Sequence, residues 1–220
     1  MTALTQSRQR ILERIRTATQ SVAARPDRLE DAYFAVAREY VRKGRLNEEK
    51  RLELLMERLR EYDAEVVETT PAGLPAAIAD QLAASGKHIF VAPPGLPKEW
   101  LASGFDWKID HQLTSAEIEA TEGVVTASSS AIADSGTIVL HHTPDEGRRV
   151  ISLLPDWHLI VLRASQVVET LPEYFARFQQ SPPLVTWISG PSATADIEMT
   201  RIKGVHGPRF LHVIVVHDAA

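Results

Sequence analysis

The 220-residue chain contains no cysteine. It therefore forms no disulfide, offers zinc no thiolate and ligates no iron–sulfur cluster itself. Long apolar runs are missing as well: nothing approaches the roughly 20 residues of a membrane span, and no apolar leader-like segment opens the sequence. Positive charge is in the minority, with 24 Lys and Arg against 29 Asp and Glu. A surface that tracks nucleic-acid phosphates needs the opposite balance. Basic residues do occur in the N-terminal third, at Arg8, Arg10, Arg14 and Arg16, and read as a solvated helix face. No G-x-G-x-x-G, Walker-type G-x-x-x-x-G-K, G-x-S-x-G or H-E-x-x-H pattern occurs. The expectation is a cytoplasmic protein with no nucleic-acid partner, no membrane span, no metal and no cofactor of its own.

What is present has two textures. Residues 1–62 read as three amphipathic helices. Ile11, Ile15 and Val22 make one stripe, which Pro26 interrupts. Leu29, Tyr33, Val36 and Tyr40 mark the face of a second helix that Gly44 stops. Asn47 suits the N-cap of a third, with Leu52, Leu55, Met56 and Leu59 on its buried side. From residue 63 to 220, short β-rich runs alternate with helical ones, which predicts an α/β domain whose sheet is at least partly parallel. Within it, 131–140 reads as a central strand, a tight turn and another strand. Thr170-Leu171-Pro172-Glu173 has the form of a capping box for a helix with Leu171, Phe175 and Phe178 on its apolar side. Phe210 to Val216 reads as a final strand.

The candidate site centres on Ser189-Gly190-Pro191-Ser192-Ala193-Thr194-Ala195-Asp196-Ile197-Glu198. This stretch follows the apolar run 184–188, read as a buried strand. A strand, a Gly/Ser loop and a helix start would place backbone N–H donors at the carboxyl edge of a sheet, where open α/β folds bind ligands. A self-capping turn is the alternative, and Asp196 would repel an anion there. Ser135, Gly136 and Thr137 form a hydroxyl-bearing turn in an apolar context, bonded to itself or to a ligand. His206, between Gly204 and Gly207, is either a turn histidine or one presented to a substrate oxygen. Arg209 suits a carboxylate if it is not merely a surface arginine. Glu122 and Glu198 are the nearest acids for a base or nucleophile. His141 and His142, beside Asp145 and Glu146, could ligate a metal but read rather as exposed loop histidines, since adjacent side chains seldom converge on one ion.

Four blocks then carry a resemblance: Ala131-Ile132-Ala133-Asp134-Ser135-Gly136-Thr137-Ile138-Val139-Leu140, Leu154-Pro155-Asp156-Trp157-His158, the stretch 189–198, and Gly204-Val205-His206-Gly207-Pro208. In this order they resemble the signature blocks of the LutC/YkgG family, the LUD-domain group named for lactate utilisation. The likeness spans roughly 62–217. Ser135 stands where Thr is more usual, so a hydroxyl is kept. The resemblance implies a three-layer fold similar to the NagB/RpiA/CoA-transferase-like superfamily. It also implies an accessory role in oxidising L-lactate to pyruvate beside iron–sulfur partner proteins. Relatives of that fold bind small anionic or carboxylate ligands, so an anion pocket built from Ser135–Thr137, 189–196 and His206 is expected. A free-standing transferase or cyclo-ligase of the same superfold, or a ligand-free assembly module, are the alternatives.

Overall fold

The computed structural model describes residues 3–23, 26–178, 180, 182–194, 202–203 and 207–218. They fall into two compact units, 1–40 and 41–220. The first unit holds helices α1 (Ala3–Ala23) and α2 (Pro26–Phe34). Pro26 opens α2 at the one helical position where its missing N–H costs nothing. The stripe expected to continue through Val36 and Tyr40 ends earlier. The Val36 amide bonds to the Tyr33 carbonyl, three residues back rather than four. This tightening closes the helix and leaves Val36 and Tyr40 exposed outside it.

The second unit begins with α3 (Glu48–Glu61), whose N-cap Asn47 accepts the Lys50 amide at 2.9 Å. Leu52, Leu55, Met56 and Leu59 are all buried. Through these residues α3 packs into the core of the sheet. After α3 come β1 (Glu65–Thr69), α4 (Leu74–Ala84), β2 (Ile89–Ala92), β3 (Asp106–Ile109), α5 (Ser115–Glu119) and β4 (Gly123–Thr126). A hairpin follows, β5 (Ser130–Ile132) and β6 (Thr137–Leu140), then β7 (Trp157–Arg163), β8 (Val167–Val168) and α6 (Leu171–Arg177). The remaining described elements are β9 (Thr186–Ile188), the pair β10 (Ala193–Thr194) and β11 (Ile202–Lys203), and β12 (Phe210–Val216).

Six strands form an all-parallel sheet in the order β1-β12-β7-β4-β2-β3. The expected α/β class is therefore the observed one. Alternation along β7 divides the core in two. Trp157, Leu159 and Val161 meet α4 and the short 3₁₀ turn at Lys98–Trp100. Ile160 and Leu162, on the opposite face, meet α3 and a second sheet. That second sheet has the order β8-β5-β6-β9. The 131–140 hairpin thus lies in the covering sheet and not in the parallel one. Its turn needs Gly136 at φ 60°, and an added Cβ would strike the Cβ of Arg58 at 2.7 Å.

Doubly wound sheets hold ligands outside the strand carboxyl ends where the connections diverge. Here that point lies between β2 and β4, and the chain itself occupies it. The Ala127 amide bonds to the Asp145 carbonyl at 3.1 Å, and the Gly95 amide to Pro144 at 2.9 Å. An added Cβ on Gly95 would come within 2.5 Å of the Pro144 backbone. The loop 141–149 is seated over the crevice.

Candidate functional site

The loop owes its shape to Glu146, only 1% exposed. Its carboxylate accepts the Ser129 hydroxyl at 2.5 Å and the amides of His141 at 2.6 Å and Thr143 at 3.2 Å. The two histidines are not free in solvent as the sequence suggested. His141 Nε2 meets the Tyr174 hydroxyl at 2.7 Å, and burial holds its imidazole below the usual histidine range. His142 adopts φ 58°, uncommon for a side-chain-bearing residue. Its Nδ1 lies 2.7 Å from the Gly147 carbonyl, which can only accept, so Nδ1 carries the proton. Its Nε2 faces the Thr186 hydroxyl at 2.7 Å.

Two neighbouring arginines then part company. Arg148 donates to both oxygens of Asp110, at 2.8 and 2.5 Å, and this charge is neutralised. Among the described residues, Arg149 donates only to Thr186 Oγ1, at 2.6 Å, and no carboxylate pairs with it. Arg149 borders two hollows. One, of about 400 Å³, lies at the carboxyl ends of β2 and β3 beside Asp110, Arg148 and His142. The other, of about 320 Å³, is lined by Arg149, Ser152, His158, Thr186, Trp187 and Ser189, with Leu153, Ile188 and Leu211 among its apolar walls. The second is the candidate site: the first also holds the Asp110 carboxylate, whereas the second sets Arg149 beside Ser189 and His158 with no described carboxylate in its lining.

Its location differs from the expected carboxyl edge. His158 and Leu211 are register partners at the amino-terminal ends of β7 and β12, and the hollow opens beside them, under the second sheet. The reason is topological. β9 pairs antiparallel with β6, so its loop reports nothing about the polarity of the parallel sheet. The loop leads into β10, which pairs antiparallel with β11, and the helix start expected around Asp196 lies outside the described residues. The run 184–188 is also less covered than expected, with Leu184 and Trp187 both exposed. On α6 the buried residue is Tyr174, while Leu171 and Phe175 face solvent.

His158 forms part of the wall from within the core. It is 1% exposed and its Nε2 meets Thr126 Oγ1 at 2.9 Å. Burial lowers its pKa to about 3, so the ring is neutral at ordinary pH.

The expected site residues are brought together only in part. Ser135, Thr137 and Ser189 form a chain of hydroxyls with links of 2.8 and 2.8 Å, and Ser189 reaches the hollow. Gly190 and Ser192 line the hollow too, but the Ser192 amide is bonded to the Pro208 carbonyl at 2.8 Å. Thr194 lies in β10, whose backbone alone is described. Asp196, Glu198 and His206 lie outside the described residues. Arg209 is engaged elsewhere, bidentate to Asp156 at 2.6 and 2.7 Å. Glu122 accepts the amides of His88 and Ile89 at 2.7 and 3.0 Å; these bonds hold its carboxyl below the usual range. Sequence reasoning missed Arg149, Thr186 and Trp187. His158 had been noted only within the Leu154–His158 block.

Gly190 shows why the corner takes a glycine. It sits at φ 84°, and an added Cβ would lie 2.5 Å from Tyr62 Cβ. Gly190→Ala is expected to lower stability by about 1–3 kcal/mol, read as the shift in a urea melt. An unshifted midpoint would contradict this backbone geometry.

The fold and hollow define an α/β protein with a cationic pocket between a parallel sheet and its covering sheet. Comparison with known proteins places it further. The LUD domain family model matches residues 52–216, and the chain belongs to that family. It is 43% identical over 165 residues to Lactate utilization protein C of Deinococcus radiodurans, covering 73% of this chain and 76% of the relative. The protein of the same name from Bacillus licheniformis is 31% identical over 187 residues, covering 75% of this chain and 78% of the relative. Among solved structures, a duf162 family protein from Deinococcus radiodurans, determined at 1.70 Å, matches with a TM-score of 0.68 and 36% identity. That match covers 78% of this chain and 99% of the other. Among the described residues, no helix is long and apolar enough to cross a membrane, and no group of three or more acidic or histidine side chains is placed to hold a metal ion.

Proposed function

We propose that this chain serves lactate utilisation as an accessory subunit beside iron–sulfur partner proteins, holding a small organic anion in the hollow at Arg149. The names of the relatives support the process. The composition fits that division of labour: with no cysteine, the chain has no thiolate to hold a cluster, and the proposal assigns electron transfer to the partners. The observation that carries ligand binding is Arg149, a guanidinium without a carboxylate partner among the described residues, bonded to Thr186 and facing a hollow that also holds His158 and Ser189. A carboxylate would meet Arg149, whose guanidinium is held in place by its bond to Thr186. A hydroxyl or keto oxygen on the adjacent carbon would meet His158 through the ring nitrogen not used by Thr126. A neutral imidazole suits that role, since it can donate or accept without adding charge.

Reconstitution tests the role: leaving this chain out should slow lactate oxidation by the partner proteins, and an unchanged rate would end the proposal. Calorimetry tests the site. Arg149→Ala is expected to weaken organic-anion binding about ten- to a hundred-fold, the worth of one charged hydrogen bond. Arg149→Lys should recover part of it. Unaltered affinity in Arg149→Ala would place the ligand elsewhere.

A further inference from the structure

Arg149 is an exposed side chain tied down at one end, through its bond to Thr186. A guanidinium on a long flexible stem otherwise samples many rotamers, and a ligand that must still it loses affinity in doing so. What stills Arg149 beforehand emerges from the protons on the bonds beyond it.

The Gly147 carbonyl fixes the first of them, because it takes the proton of His142 Nδ1 at 2.7 Å. In a neutral imidazole the other nitrogen is then an acceptor. His142 Nε2 lies 2.7 Å from Thr186 Oγ1 and so receives the hydroxyl proton. Thr186 is left with lone pairs only, and Arg149 NH1 donates to one of them at 2.6 Å. The four groups form a one-way relay, from Arg149 to Thr186, to His142, to the Gly147 carbonyl. Neither end can reverse it, since a guanidinium only donates and a carbonyl only accepts.

The relay assigns each member a place. Thr186 lines the hollow, yet its single proton is committed to His142, so it has none to offer an anion there. His142 lines the neighbouring hollow beside Asp110 and Arg148, and acts on Arg149 from outside the candidate site. Its backbone, at φ 58°, is in a conformation unfavourable for a side-chain-bearing residue, and the two ring hydrogen bonds offset that cost.

We infer that His142 and Thr186 are positioning residues of the anion site: the relay anchors Arg149 through NH1 and leaves its remaining N–H groups ready-placed for a carboxylate. This rests on the reading of the hollow as an organic-anion site and adds what orients its cation.

The test has one arm that needs no ligand. Nitrogen-15 NMR of the full chain at pH 8, with His142→Gln used to assign the signals, should find the His142 proton on Nδ1. A proton on Nε2 overturns the relay whether or not an anion binds. In the second arm, calorimetry with L-lactate and pyruvate compares variants. Thr186→Val should weaken binding about two- to ten-fold, the effect of freeing one long side chain. Thr186→Ser, which keeps the hydroxyl, should restore it. His142→Leu should weaken binding similarly, and His142→Gln, whose carbonyl can take the Thr186 proton, should recover most of the loss. Both carry a side chain at the same φ, so their difference isolates the acceptor. In Arg149→Ala, Thr186→Val should change nothing further, because no guanidinium is left to hold. An equal loss in both backgrounds would make Thr186 a direct contact or a fold residue and overturn the inference while leaving the anion site intact. Failure of the wild type to bind either acid would instead remove the site itself.

Discussion

Glu146→Ala is expected to destabilise the protein by about 3–5 kcal/mol, because three donors in or beside the core lose their acceptor together. Ser129 Oγ and the amides of His141 and Thr143 all bond to this one carboxylate. Nothing else on the loop reaches the same three atoms. Glu146→Gln separates charge from geometry. Its amide oxygen still accepts from the two backbone N–H groups, and its NH₂ donates to Ser129, whose hydroxyl can accept. The cost should fall to about 1 kcal/mol. Urea denaturation of the two variants reads the difference. Equal losses would mean that the carboxylate's charge matters and not its lone pairs. The same loop carries His142 and Arg149, so Glu146→Ala should also weaken ligand binding without touching the ligand.

The second large effect is in the pH dependence of stability. His158 is held neutral by burial, with its pKa lowered from 6.5 to about 3. Below pH 6.5 the unfolded chain takes up a proton there that the folded chain refuses. Its contribution to stability is therefore fully present above about pH 6.5 and is lost as the pH falls towards about 3. The slope is about 1.4 kcal/mol per pH unit for one such group. At pH 5 that amounts to about 2 kcal/mol, a large fraction of a typical domain's margin. His141 and His212 are lowered by burial too and act in the same direction. Comparison with His158→Gln isolates the one residue. The stability difference between wild type and variant should tilt below pH 6.5 and run flat above it. Parallel curves across the range would show that His158 is accessible to protons in the native state.

The sequence was informative where local rules decide. Asn47 caps α3 as its spacing implied, and β12 falls on the residues its apolar pattern marked. It was uninformative where partner choice decides. The apolar run before Ser189 does not say which sheet its strand joins. Only the antiparallel register with β6 does, and it moves the following loop from the expected edge to the amino ends of β7 and β12. Arg148 and Arg149 are alike in sequence. What distinguishes them is Asp110, 38 residues before Arg148, which neutralises one and leaves the other facing the hollow. The hydroxyls of Ser135, Thr137 and Ser189 were legible as candidates, since short polar side chains in apolar surroundings need partners. That they satisfy one another was not.

The position of β12 bears on how the protein is made. It sits between β1 and β7, and β1 has no other neighbour in the parallel sheet. Yet β12 leaves the ribosome after every other strand of that sheet. During synthesis β1 must wait through some 140 residues of intervening chain for its only partner, with Val66 and Val67 unshielded by it meanwhile. Closure is therefore a late, long-range event, slow by its topology, and the nascent chain's exposure to aggregation or to chaperones is built into the strand order.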